Sequence, residues 1–207
     1  KVLEMMLLFL PLNHSSGNLV LEKYFFSHQQ NSAYAQTKSP SKKVIDCFPS
    51  KENQGIEAFF YKGLEYFKRA EDSKSNKDYE TAVACFSFLT NSPSKIELKR
   101  LALYYSAISL WMGVENKNPK KALEMFQSII LYRLNDSITE YAKAAEAQIT
   151  LDLALKGEPD FKLEDAEVKF MQFKKEFPDG FYTYSVNQRL KEISKLKKEK
   201  IKSPKTK

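Results

Sequence analysis

The stretch Asp78-Tyr79-Glu80-Thr81-Ala82-Val83-Ala84-Cys85-Phe86-Ser87-Phe88-Leu89 decides how the chain is read. Within it Ala82, Phe86 and Leu89 stand at offsets of four and then three, which places them on one stripe of a helix. The small Ala lets a neighbouring helix come close, and the aromatic ring fills the space beyond it. The pattern returns as Ala122, Phe126 and Ile129 and again as Ala166, Phe170 and Phe173, at intervals of 40 and 44 residues. A polar turn precedes each copy (Asn76-Lys77-Asp78, Lys117-Asn118-Pro119, Asp160-Phe161-Lys162), and Pro93 and Pro178 close the first and third.

An amphipathic helix cannot bury such a stripe alone, and a second helical pattern lies just upstream of each copy. Ile56 to Phe67 precedes the first, Ser94 to Gly113 the second, and a segment opened by Asp136-Ser137-Ile138-Thr139 the third. Recurrence at this interval predicts an all-α fold, an α-solenoid of about three helix pairs. The second member of the middle pair is expected over 120–134, and Leu163 to Glu176 should form that of the third. A last helix follows, with Val186, Leu190 and Ile193 inward and Gln188, Arg189, Lys191 and Lys195 outward. It serves as the capping helix that such arrays need.

These residues resemble the tetratricopeptide repeat (TPR) family. Asp78 to Phe86 is similar to the opening of that repeat's second helix, and Phe59-x-x-x-Gly63-x-x-Tyr66 resembles the aromatic–glycine–tyrosine run of its first. The resemblance spans roughly residues 56–194. The intervals exceed the family's usual ~34 residues, so its turns carry insertions, such as Glu71 to Asn76. The resemblance implies about three TPR-like pairs plus a C-terminal capping helix, acting as a non-enzymatic protein–protein interaction scaffold or adaptor. In that family the first helices line a concave groove that takes a peptide or partner helix. By that likeness Phe60, Leu64 and Phe67 of the first pair, with Arg100, Leu103 and Ala107 of the second, are the candidate partner-binding residues. The plain alternative is that the N-terminal segment or a neighbouring helix covers the Phe60–Leu64–Phe67 stripe, because uncovered apolar patches of that size are uncommon.

A second likeness lies at Phe170 to Tyr182. Its Phe177-Pro178-Asp179-Gly180-Phe181-Tyr182 is similar to repeat ends in periplasmic TPR lipoproteins of the outer-membrane β-barrel assembly type. It implies a bacterial cell-envelope setting. The lipid-anchoring cysteine of that group has no match, since Val44-Ile45-Asp46-Cys47 has a large acidic residue before the Cys and no apolar run ahead of it.

Composition bounds the rest. The 207 residues allow one domain with tails, read here as 1–54 (apolar N-terminus and polar linker), 55–194 (repeats) and 195–207 (Lys-rich tail). With 43% hydrophobic residues, 15 Phe and 11 Tyr, a real core is available. The formal charge of +7 belongs to the tail, where 195–207 holds seven Lys against one Glu and leaves about +1 for the remainder. A nucleic-acid groove across the repeats is therefore not expected. Val2 to Leu12 is apolar apart from Glu4, too short to span a membrane and of signal-peptide length. If it is a signal peptide the chain is periplasmic or in the cell envelope, where membrane association would follow. Otherwise the chain is cytoplasmic, as a TPR chaperone or regulatory adaptor. A third reading gives the Lys-rich tail nucleic acid or anionic lipid to bind, with strong salt dependence.

No chemistry-bearing constellation is present. The sequence holds no glycine-rich phosphate loop, no Cys pair at metal spacing and no His-x-x-x-His, and both His14 and His28 precede the repeats. The chain is therefore read as no enzyme, with no catalytic residue, metal ligand or cofactor. Of the two cysteines, Cys85 is expected to be a small buried apolar residue. A bridge from Cys47 to Cys85 is the less favoured alternative.

Overall fold

The computed structural model describes Cys47 and residues 55–113 and 117–202, all within one unit that spans 38–207. The apolar stretch 2–12, the rest of the linker through 54, and 203–207 lie outside the described residues. Among the described residues there are seven α-helices and no strand. They are α1 (Glu57–Ser73), α2 (Asn76–Asn91), α3 (Ile96–Met112), α4 (Pro119–Ile130), α5 (Ser137–Leu155), α6 (Leu163–Glu176) and α7 (Thr183–Lys202).

Local chemistry sets where they begin and end. Ser75 Oγ accepts from the Asp78 N–H (3.3 Å) at the start of α2, Asn118 Oδ1 from the Lys121 N–H (3.0 Å) at α4, and Asp136 Oδ1 from the Thr139 N–H (2.9 Å) at α5. Each satisfies one of the backbone donors that a helix start leaves unpaired. Pro119 occupies the first turn of α4, where its missing N–H costs nothing. Gly157, at φ 76°, turns the chain after α5. The fourth helix stops at Ile130, short of the expected 134, because the chain turns at Arg133, which takes a left-handed φ of 55°.

Each helix packs on the next in sequence, and α1 also packs on α3 and α3 on α5. All three stripes are inside. Ala82, Phe86, Leu89, Ala122, Phe126, Ile129, Ala166 and Phe170 are fully buried, and Phe173 nearly so. Burying each of these phenylalanines stabilises the fold by roughly 1.5–3 kcal/mol. At Gly63 α1 lies so near α2 that an added Cβ would stand 2.5 Å from Cε1 of Phe86. Alongside it Phe59 stacks on Phe88 at 4.2 Å between ring centroids.

Three expectations are corrected. Cys47 and Cys85 form a disulfide, with Cα atoms 5.2 Å apart, and both are fully buried. The burial of Cys85 was expected and the bond was not. The Lys-rich stretch does not begin as a frayed tail at 195, because α7 continues to Lys202 and Lys197 pairs with Glu167 of α6. Arg189, expected outward, is buried and donates to Glu192 Oε2 at 2.7 Å.

Candidate partner-binding surface

The six candidate groove residues do not share one fate. Phe60 is fully buried, with its ring 5.7 Å from that of Phe86 and 5.9 Å from that of Tyr105. Phe67 is buried too, 5.3 Å from Tyr105 and 6.1 Å from Tyr79. The stripe offered as ligand-facing is thus covered from α3, so the neighbouring-helix alternative describes it. Ala107 is fully buried. Only Leu64 and Leu103 keep partial exposure.

Arg100 is buried for a different reason. Its guanidinium spans two elements, donating to Asp136 Oδ2 at 2.6 Å and Oδ1 at 2.8 Å, and to Thr139 Oγ1 at 2.8 Å. This two-pronged geometry suits the planar guanidinium and would not suit lysine. Asp136 is also the residue that caps α5, so Arg100 of α3 holds the start of α5 in place. The guanidinium beside it, despite the opposing effect of burial, brings the Asp136 carboxyl down to about 2. An arginine committed in this way is a fastener between α3 and the start of α5 and is not free to meet a partner.

Aromatic rings continue the fastening across the stack. Tyr105 of α3 touches rings from α1 and α2, its neighbour Tyr104 meets Tyr141 of α5 at 5.0 Å, and Tyr141 meets both Phe126 (5.8 Å) and Tyr182 (5.5 Å). Burial pushes the Tyr105 hydroxyl up to about 12 and raises Tyr104, Tyr141 and Tyr182 as well. These phenols therefore stay neutral at ordinary pH. From the sequence Tyr105 reads as part of an apolar helix face and Tyr182 as part of the Phe177–Tyr182 likeness, while Tyr104 and Tyr141 were not singled out. The spacing of Tyr104 and Tyr105 on one helical turn, each facing a different neighbour, is the only local signal they offer.

Polar links run along the outside. Glu146 of α5 accepts from Gln127 of α4 (3.1 Å) and pairs with Lys169 of α6, while Lys143 pairs with Glu176. Among the described residues no group of three or more His, Cys, Asp or Glu is placed to hold a metal ion, and no helix is long and apolar enough to cross a membrane. The described surface includes half-buried Leu64 and Leu103, and exposed apolar side chains at Leu131, Val168, Met171, Phe181 and Tyr184. Comparison with family models, with curated proteins and with solved structures gives no match to this chain.

Proposed function

We propose that the chain is a non-enzymatic scaffold of TPR type, an α-solenoid of three helix pairs and a capping helix that recognises other proteins in a bacterial cell envelope. The observation that carries the solenoid reading is the alternation of contacts. Each buried alanine–aromatic seam lies between sequence neighbours, and the first helices α1, α3 and α5 also touch one another in turn. That is the packing expected of stacked helical hairpins. The Phe177 to Tyr182 likeness supports a role in outer-membrane protein assembly.

The Cys47–Cys85 bond supports the exported setting, because disulfides persist in oxidising compartments and are rare where thiols are kept reduced. Two experiments test the reading. Alkylating thiols as cells are lysed into denaturant, so that both buried sulfurs become accessible, should find neither cysteine modified, and modification of both would remove the envelope setting. Capture of partners from native membranes by the full chain should be reduced by the Leu64→Glu/Leu103→Glu pair with an unchanged melting curve. Identical capture by both forms would exclude these two residues from the binding face.

A further inference from the structure

The last helix carries an exposed stripe outside the buried seams, joined to them only where the Phe181 ring meets that of Tyr182 at 5.0 Å among the described contacts. Tyr184, Gln188, Lys191, Lys195 and Lys198 follow at steps of four, three, four and three on α7, with Phe181 one turn ahead of them, and all six are exposed. Steps of that kind keep residues on one side of a helix, here over about 25 Å. Phe181 and Tyr184 are 75% and 70% exposed, unusual for large aromatic side chains on a surface with this much polar alternative. The opposite side of α7 holds Ser185, Val186, Arg189 and Ile193 and is buried.

Charge along the stripe is of one sign. Other basic groups of α7 have internal work: Arg189 pairs with Glu192, and Lys197 with Glu167 and Glu164. Lys191, Lys195 and Lys198 outnumber the acids near their side of the helix. The nearest, Glu199, lies 4.0 Å from Lys195 with both groups well solvated, a pair worth little. Lys200, Lys202, Lys205 and Lys207 follow in the sequence with no further acid.

We infer that this face of α7 is a peripheral docking surface for an anionic lipid bilayer. A second copy of the chain is a poor occupant, since a two-fold contact would set the same lysines against each other. A single raised stripe on the terminal helix meets a flat surface more readily than a peptide, which needs walls on two sides to bury its own backbone. Aromatic rings favour the headgroup level, lysine stems lie along apolar surface with their charge in the headgroups, and anionic lipid supplies the opposite sign. The inference uses only α7 and stands apart from the scaffold reading.

The test is co-sedimentation of the full chain with vesicles of phosphatidylcholine alone or mixed with phosphatidylglycerol. The expected result is binding to the mixed vesicles only, weakening as salt is raised. Lys191→Glu/Lys195→Glu/Lys198→Glu should weaken it by at least ~10-fold, and Phe181→Ser/Tyr184→Ser several-fold. Circular dichroism melts should match the wild type, because every substituted side chain is exposed. A Tyr184→Trp variant should show a blue-shifted emission on adding the mixed vesicles, which reports immersion directly. Three outcomes overturn the inference: undiminished binding by the triple variant, loss of binding on removing 203–207 alone, or no spectral shift from the Trp. Retention on a single-stranded oligonucleotide at salt that frees the vesicles, abolished by the same lysine changes, would assign the stripe to nucleic acid instead and overturn it equally.

Discussion

Gly63 is a position at which α1 lies against the Phe86 ring of α2, and its substitution separates two opposing effects. Alanine there gains helix propensity of ~1 kcal/mol, yet its methyl would stand 2.5 Å from the Phe86 ring, which is itself fully buried and has no room to retreat. Gly63→Ala is expected to lose about 1–3 kcal/mol net, read as a lower denaturant midpoint with unchanged slope. Arg100 makes the second residue-scale case. Arg100→Leu should cost about 1.5–3 kcal/mol from the charged hydrogen bonds it removes. The pH dependence has a definite sign. The Asp136 carboxyl titrates at about 2 in the fold against ~3.9 in an unfolded chain. Its contribution is therefore complete above ~4 and fades as pH falls toward 2. The stability difference between wild type and Asp136→Asn should shrink over that window and stay flat from pH 5 to 8. An unchanged difference at pH 2 would mean that the carboxylate does not act through its charge. The pairing of Arg100 with Asp136 was not legible in the sequence. Arg100 reads there as a partner-binding candidate and Asp136 as a helix opener, and only the stacking of α3 on α5 brings them together.

At the scale of elements, the seams were legible and their cover was not. Ala82–Phe86–Leu89 and its two copies announce which side of α2, α4 and α6 is hidden, because periodicity within one helix fixes a direction. Which neighbour hides a second stripe is a property of two helices at once, so the sequence left Phe60 and Phe67 either ligand-facing or covered by the N-terminal segment or a neighbouring helix, and it is Tyr105 that packs against them. The Cys47–Cys85 bond was the less favoured reading for the same kind of reason. A separation of 38 residues carries no geometric information until α2 has a defined face. Its contribution can be gauged from loop entropy, which for a loop of that length gives roughly 4 kcal/mol as an upper figure. Cys85→Ala should lose much of that, measured by denaturation without reductant. Adding reductant to the folded wild type should change little at first, since both sulfurs are fully buried.

Over the whole molecule, stability in a stack of nearest-neighbour contacts is expected to be uneven. Phe170→Ala removes a buried ring from the α6 seam and should cost about 3–5 kcal/mol. Hydrogen exchange should quicken first in α6 and α7 and last in the disulfide-bound α1 and α2. A uniform increase across the seven described helices would indicate one cooperative block instead. The bond between Cys47 and Cys85 also encloses the whole of α1, the connection Lys74–Ser75 and the first half of α2 in a covalent ring. A protease that nicks the exposed Lys74 or Lys77 therefore leaves two fragments that still travel together. Such a cut would be silent on a gel run without thiol and would show two bands once thiol is added, so apparent resistance to trypsin has to be judged under reducing conditions.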